Sequence, residues 1–351
     1  MQLKASASKL PFALLLLIAP FFLWGTAMVA MKGVIPHTTP LFMAGVRIVP
    51  AGVLILIVAA LMGRTQPQGW KAWLWITLFG VVDGTLFQGF LAEGLVRTGA
   101  GLGSVMIDSQ PLAVALLSLW LFKEHIGLWG WLGLALGVGG ISLIGLPSEW
   151  FHFLGGGTDA ISASWQNLFA SGEWLMLLAA LSMAVGTVLI RFVCRYADPV
   201  TATGWHMILG GLPLWGLSSV VESEQWENIL SSDWLAMAYA TVFGSAIAYG
   251  LFFYFAICGS LTSLSSLTFL TPVFALLFGN LLLGEVLNPL QWVGVSLTLI
   301  SIYLINQRDT LASGDLTSVE QGTTPQPALK AATKLNPVSI SVRESKSEIS
   351  P

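Results

Sequence analysis

LTPVFALLFGNLLLGEVLNPLQWVG, Leu270 to Gly294, repeats the skeleton of SQPLAVALLSLWLFKEHIGLWGWLG, Ser109 to Gly133. Pro111, Glu124, Trp131 and Gly133 fall on Pro272, Glu285, Trp292 and Gly294, each at an offset of 161 residues. The register extends outward. Gly25-Thr26 falls on Gly186-Thr187 at the same offset, and Pro40 and Gly45 fall on Pro199 and Gly204 at an offset of 159. The two-residue change sits in the first loop of each unit, where an insertion costs little. A chain that keeps register over this distance is a duplication.

Both copies are too apolar for water. The chain is 55% hydrophobic and 9% charged, with a mean hydropathy of +0.78, whereas a soluble domain carries about 25% charged residues. Most of its surface must therefore face lipid. A spanning helix needs about 20 mostly apolar residues. Such segments lie at 11–31, 39–61, 72–95, 101–122 and 127–146, and again at 172–192, 200–220, 233–256, 262–283 and 289–306. Lys4 and Lys9 ahead of the first segment give it the look of a signal peptide. The first copy is incomplete without it, so it reads as a retained helix. The polar, Gly-rich stretch 147–171 separates copy 1–146 from copy 172–306, and residues 307–351 have the Ser/Thr/Pro/Lys/Glu composition of a disordered tail. Cys194 and Cys258 stand alone, with no metal spacing or disulfide framework. No basic stripe points to nucleic acid.

The charges orient the chain. With the N-terminus inside, Lys4, Lys9, Arg64, Lys71, Lys123, Arg191, Arg195 and Arg308 fall at cytoplasmic ends, against Lys32 and Arg97 outside. This bias predicts a multi-pass protein of the inner or plasma membrane with both termini cytoplasmic. Five spans is an odd number, so the second copy enters the membrane upside down. Inverted repeats are a recurrent build for secondary transporters, in which the copies exchange conformations around a midplane solute site. The fold expected is all-α and membrane-embedded, ten helices in two inverted five-helix repeats.

WGTAMVAMKGV (24–34), TTPLFMAGVRIVPAG (38–52) and the two opening stretches resemble the EamA-type branch of the drug/metabolite transporter superfamily. The resemblance covers about residues 10–306. It implies ten helices, inverted repeats and transport of small organic solutes, often export, with no cofactor. The first copy departs from the pattern at Lys123, where the second has Gly284.

Ionisable residues inside a span cost about 2.5–3.5 kcal/mol on insertion scales and are functional candidates by default. They are Arg47, Asp83, Glu93, Asp108 and His206, with Gln88, Gln110 and Thr271 as polar companions. Asp83 is mid-span and is expected to face the cavity as a protonatable or cation site, or else to pack against a neighbouring helix beside Gly80 and Gly84. Arg47 and Asp108, at similar depth, are expected to pair, as an anchor for solute or as a structural tie. Tyr249 and Tyr254, at the places of Gln88 and Glu93, and Trp24 are aromatic candidates for stacking or cation binding. Nearly all these charges lie in the first copy, since Gly244 and Phe269 replace Asp83 and Asp108. The net acidic site favours a cation, a zwitterion or an uncharged amphiphile over a phosphorylated solute, with the proton as candidate coupling ion. Glu124 and Glu285 read as structural, each near a helix N-terminus at opposite membrane faces. Pro111 and Pro272 are expected to bend their spans. A membrane enzyme, a channel and a receptor or assembly subunit are the rival readings. No H-E-x-x-H, nucleophile motif or selectivity loop supports the first two.

Overall fold

A computed structural model describes residues 10–97, 107–145, 172–283 and 289–314, and every regular element among them is helical. The first copy comprises α1 (Leu10–Lys32), α2 (Pro40–Leu61), α3 (Gly69–Phe79, continuing through Gly80–Leu86 into Phe87–Arg97), α4 (Gln110–Phe122) and α5 (Gly127–Gly145). The second comprises α6 (Glu173–Val193), α7 (Pro199–Val221), α8 (Ser231–Tyr239, Ala240–Ile247 and Ala248–Ala256), α9 (Leu261–Ser266, Leu267–Phe269 and Leu270–Leu283) and α10 (Pro289–Gly314). Spans α1, α2, α3, α6 and α8 are individually long and apolar enough to cross a membrane. Leu61, Leu128 and Val220 are each 82% exposed on the rim of the bundle, a surface that only lipid covers at no cost.

Three departures from simple helices were not visible in hydropathy. The middle turns of α3 and α8, Gly80–Leu86 and Ala240–Ile247, are π-helical. They lie at matching places in the two copies, and π-turns concentrate at functional sites. Second, Pro111 and Pro272 restart helices rather than bend them. Asp108 and Ser109 form a turn before α4 begins at Gln110, and a 3-10 turn at Leu267–Phe269 precedes the Leu270–Leu283 segment. Proline lacks the N–H that a continuing helix needs but suits a first turn. Third, α10 runs on to Gly314, so the expected disordered tail from residue 307 does not begin at the membrane. Gln307 to Ser313 contains no proline or glycine to stop the helix. The rest of the tail, the linker 147–171 and Glu285 lie outside the described residues.

The copies interdigitate. Helix α2 packs on its counterpart α7, and α5 on α10, while α1 packs on α8 and α9 and α6 packs on α3 and α4. Small residues make these contacts close, as expected where no hydrophobic force drives helices together in lipid. A Cβ on Gly52 would come within 2.6 Å of the Gly204 carbonyl, and one on Gly140 within 2.8 Å of that of Gly294. Gly84 and Gly210 meet backbone to backbone, which joins the π-turn of α3 to α7. One continuous core, including Phe21, Ile48, Phe79, Met207, Phe252 and Phe253, runs through both copies.

Candidate functional site

A cavity runs from mid-span toward the end of the bundle where α1 finishes and α4 begins. One face of α1 lines it with Trp24, Ala27, Met28 and Met31, at the i, i+3, i+4, i+7 spacing of a single helix stripe. One face of α3 adds Phe87, Leu91 and Leu95. The remaining wall is Arg47 of α2, Ile107, Asp108 and Gln110 at the head of α4, Met183 of α6, Tyr249 of α8, and Thr268 and Thr271 at the break in α9. The wall is apolar toward the ends of α1 and α3 and polar at the depth of the two helix breaks.

The polar floor is wired together. The Arg47 guanidinium donates to Gln88 Oε1, and Gln88 Nε2 donates to the Tyr249 hydroxyl at 2.7 Å. Gln88 and Tyr249 are counterparts in the repeat, so their contact marks the pseudo-two-fold axis. Arg47 and Asp108, expected to pair, both line the cavity wall, and the guanidinium is held by Gln88. Gln110 Nε2 donates to Thr187 Oγ1 of α6 at 3.3 Å. Trp24 packs edge-on against Tyr249, with centroids 5.1 Å apart. Three buried polar atoms on this wall have no hydrogen-bond partner among the described residues: Trp24 Nε1, Gln110 Oε1 and Thr271 Oγ1. A buried polar group left unpaired costs about 1–3 kcal/mol. All three, one donor, one acceptor and one hydroxyl, belong to residues that line one cavity.

Asp83 does not face this cavity. It is 1% exposed, sits in the π-turn of α3 against Gly186, and places Oδ2 3.2 Å from His206 Nε2. The alternative reading of Asp83, packed on a neighbouring helix beside Gly80 and Gly84, matches this geometry. His206, an ionisable candidate of the seventh span in the sequence, is its partner. Glu93 and Tyr254 are also away from the cavity lining. Glu93 bonds Arg97 one turn on at 2.6 Å, at a partly exposed helix end, and Tyr254 packs on Phe255.

Glu124 is a helix cap, but for a helix in the other copy. It does not serve α5; its Oε1 accepts from Leu261 N, and its Oε2 accepts from Ser260 Oγ, Thr262 N and Thr262 Oγ1. Arg191 sits 3.6 Å from the same carboxylate and donates to the carbonyls of Ala256 and Gly259 at the end of α8. Sequence reasoning read Arg191 only as a positive charge at a span end; nothing local marks it as a knot. This knot lies at the opposite end of the bundle from the cavity.

A profile of the EamA-like transporter family matches residues 11–146 and 170–307. A protein named as an uncharacterized transporter of Synechocystis sp. is 66% identical over 313 residues, covering 89% of this chain and 94% of its own length. A chloroplastic WAT1-related protein of Arabidopsis thaliana is 53% identical over 294 residues, covering 83% and 68%. A solved crystal structure superposes with a TM-score of 0.69 over 88% of this chain and 99% of that one, at 17% identity, a likeness of fold.

Proposed function

The chain belongs to the EamA-like transporter family and is an integral membrane transporter, and from that premise we propose that it is a secondary active, proton-coupled exporter of a small amphipathic metabolite. The observation that carries the solute class is the trio of unpartnered groups, Trp24 Nε1, Gln110 Oε1 and Thr271 Oγ1, at the polar floor of an otherwise apolar cavity. Arg47 supplies positive charge for a carboxylate, Asp108 negative charge for an ammonium, and Met28, Met31, Leu91 and Leu95 an apolar sleeve. An amino-acid-like or drug-like molecule with a compact zwitterionic or hydrogen-bonding head satisfies all of them. The positive-inside charge bias places the knot of Glu124 and Arg191 on the cytoplasmic side. The cavity then opens outward, one of the two states that alternating access requires.

The test is purified protein in liposomes under an imposed pH gradient, with labelled leucine and phenylalanine as probes and a sugar phosphate as the excluded class. Saturable, gradient-driven movement of the amino acids is expected. Trp24→Phe, which keeps an aromatic ring and removes the donor, should weaken half-saturation about tenfold, as for one lost hydrogen bond to a charged partner. Movement of neither amino acid overturns the solute class. Substrate hydrolysis without movement, or single-channel currents, would replace the carrier with an enzyme or a channel.

A further inference from the structure

Beneath the cavity floor, Asp83 and His206 face each other with almost no solvent contact. The repeat does not require them, for their counterparts are Gly244 and Arg47. Their hydrogens can be counted. His206 Nδ1 lies 2.6 Å from the Thr203 carbonyl oxygen. A carbonyl only accepts, so Nδ1 carries a hydrogen. Nε2 is then either bare, in a neutral ring, or protonated, in an imidazolium. A bare Nε2 against a carboxylate oxygen at 3.2 Å sets lone pair against lone pair. The contact is attractive only with one proton between the two atoms, on Oδ2 or on Nε2.

We propose that Asp83 and His206 together hold one exchangeable proton, whose loss loosens the contact between α3 and α7; resting on the transport reading above, this makes the pair the coupling element. The surroundings support this role. Asp83 Oδ1 has no hydrogen-bond partner among the described residues. Phe79 stacks on the imidazole at 4.0 Å, and Phe253 meets it edge-on at 5.4 Å, and an aromatic face favours a cation. The groups facing the pair are His206 itself from α7, Tyr249 from α8, Arg47 from α2 through Gln88, and from α6 Gly186, whose lack of a side chain admits the Asp83 carboxyl. The Tyr249 hydroxyl accepts from Gln88, so its own hydrogen is available to give. It lies within electrostatic reach of Asp83 and also lines the cavity. On release, the Oδ2–H or Nε2–H bond breaks and the proton leaves by this side to the cavity. A carboxylate and a neutral imidazole remain in repulsion across the helix pair whose backbones touch at Gly84 and Gly210. No side chain lies between those glycines to absorb the change.

The experiment is infrared difference spectroscopy of the full chain in lipid nanodiscs, without solute, between about pH 4 and pH 9, which brackets carboxyl and imidazole titration. The wild type should show a carboxyl or imidazole band that Asp83→Asn abolishes and Glu93→Gln retains. Asp83→Asn sets an N–H donor against Nε2 and mimics the loaded state, so it should fold and should lack the fall in melting temperature that the wild type shows on losing the proton. His206→Gln should abolish the same band; if it does not fold, Asp83→Asn alone decides. An unchanged band in Asp83→Asn, or a wild type with no titration that Asp83→Asn alters, overturns the proposal. If no solute moves but the band behaves as expected, the proton site stands and the transport reading falls. If transport is gradient-driven and the band ignores Asp83→Asn, the reverse holds.

Discussion

At Lys123 the chain leaves α4 with φ 54°, in the left-handed region, where a side chain costs about 1–2 kcal/mol. The second copy carries glycine at the matching position of the sequence, so the one mismatch in the repeated motif marks a backbone demand. Lys123→Gly should therefore raise unfolding stability by about 1 kcal/mol, read as a higher melting temperature in detergent. Cys194, just past α6, offers a pH test. Burial, with Asp198 and Cys258 adding, pushes its thiol up to about 12. The thiolate is the reactive form, so its alkylation rate should rise about tenfold per pH unit across the neutral range, with no plateau below that value; a plateau near pH 9 would contradict the burial. Arg47, Asp108, Gln110 and Thr271 of the cavity wall were legible because each polar group in a span is costly and so demands a reason. The same rule picked Glu93, away from the cavity, and missed Thr268. Which residues pair was not legible. Asp83 and His206 are 123 residues apart, and hydropathy carries no information about which helix faces which.

The elements that depart most from regular helix surround the functional regions. Pro111 and Pro272, counterparts in the repeat, mark the breaks at the heads of α4 and of the long segment of α9, and Gln110, Thr268 and Thr271 line the cavity from there. The prolines were legible but the break was read as a bend, because a sequence shows the missing donor and not how the neighbours answer it. The π-turns have no sequence signal that we recognise beyond their place in the repeat. Glu124 was legible as a cap, since acids favour helix N-termini; its choice of the α9 terminus over α5 depends on interdigitation. The short Leu261–Ser266 helix is capped by that carboxylate together with the Ser260 hydroxyl, with Arg191 gripping the end of α8. Glu124→Gln removes the charge and keeps the size. It should speed alkylation of Cys258, whose thiol burial also pushes up, by about tenfold, the equivalent of one charge-assisted bond. Arg191→Lys should do the same, because a point ammonium cannot reproduce the guanidinium fork across two carbonyls and a carboxylate. Unchanged rates in both variants would mean that the knot does not hold this end shut.

For the molecule as a whole, periodic register revealed two inverted copies, but only packing shows that neither copy is a separate body. Helices α2 and α7, and α5 and α10, meet their own counterparts, and α1 with α8 and α9, and α6 with α3 and α4, also cross between copies. Gln88 touches Tyr249 on the axis that relates them. Under the alternating access proposed above, exchange about this axis closes the cavity end as it opens the knot end. The cavity lies at one end and the Glu124 knot at the other, so on that proposal the knot releases once per cycle. This can be tested in a chain with Cys194→Ser and Cys258→Ser that also carries Glu124→Cys and Thr262→Cys, at side chains whose oxygens lie 2.9 Å apart. A short bifunctional thiosulfonate should bridge the two new thiols. The bridged protein should still bind solute through the cavity, which the bridge does not touch, but should lose transport in liposomes. Reduction of the bridge should return the rate to that of the unbridged variant. Full transport with the bridge intact would show that the Glu124 end never opens, and the exchange of ends would have to be abandoned.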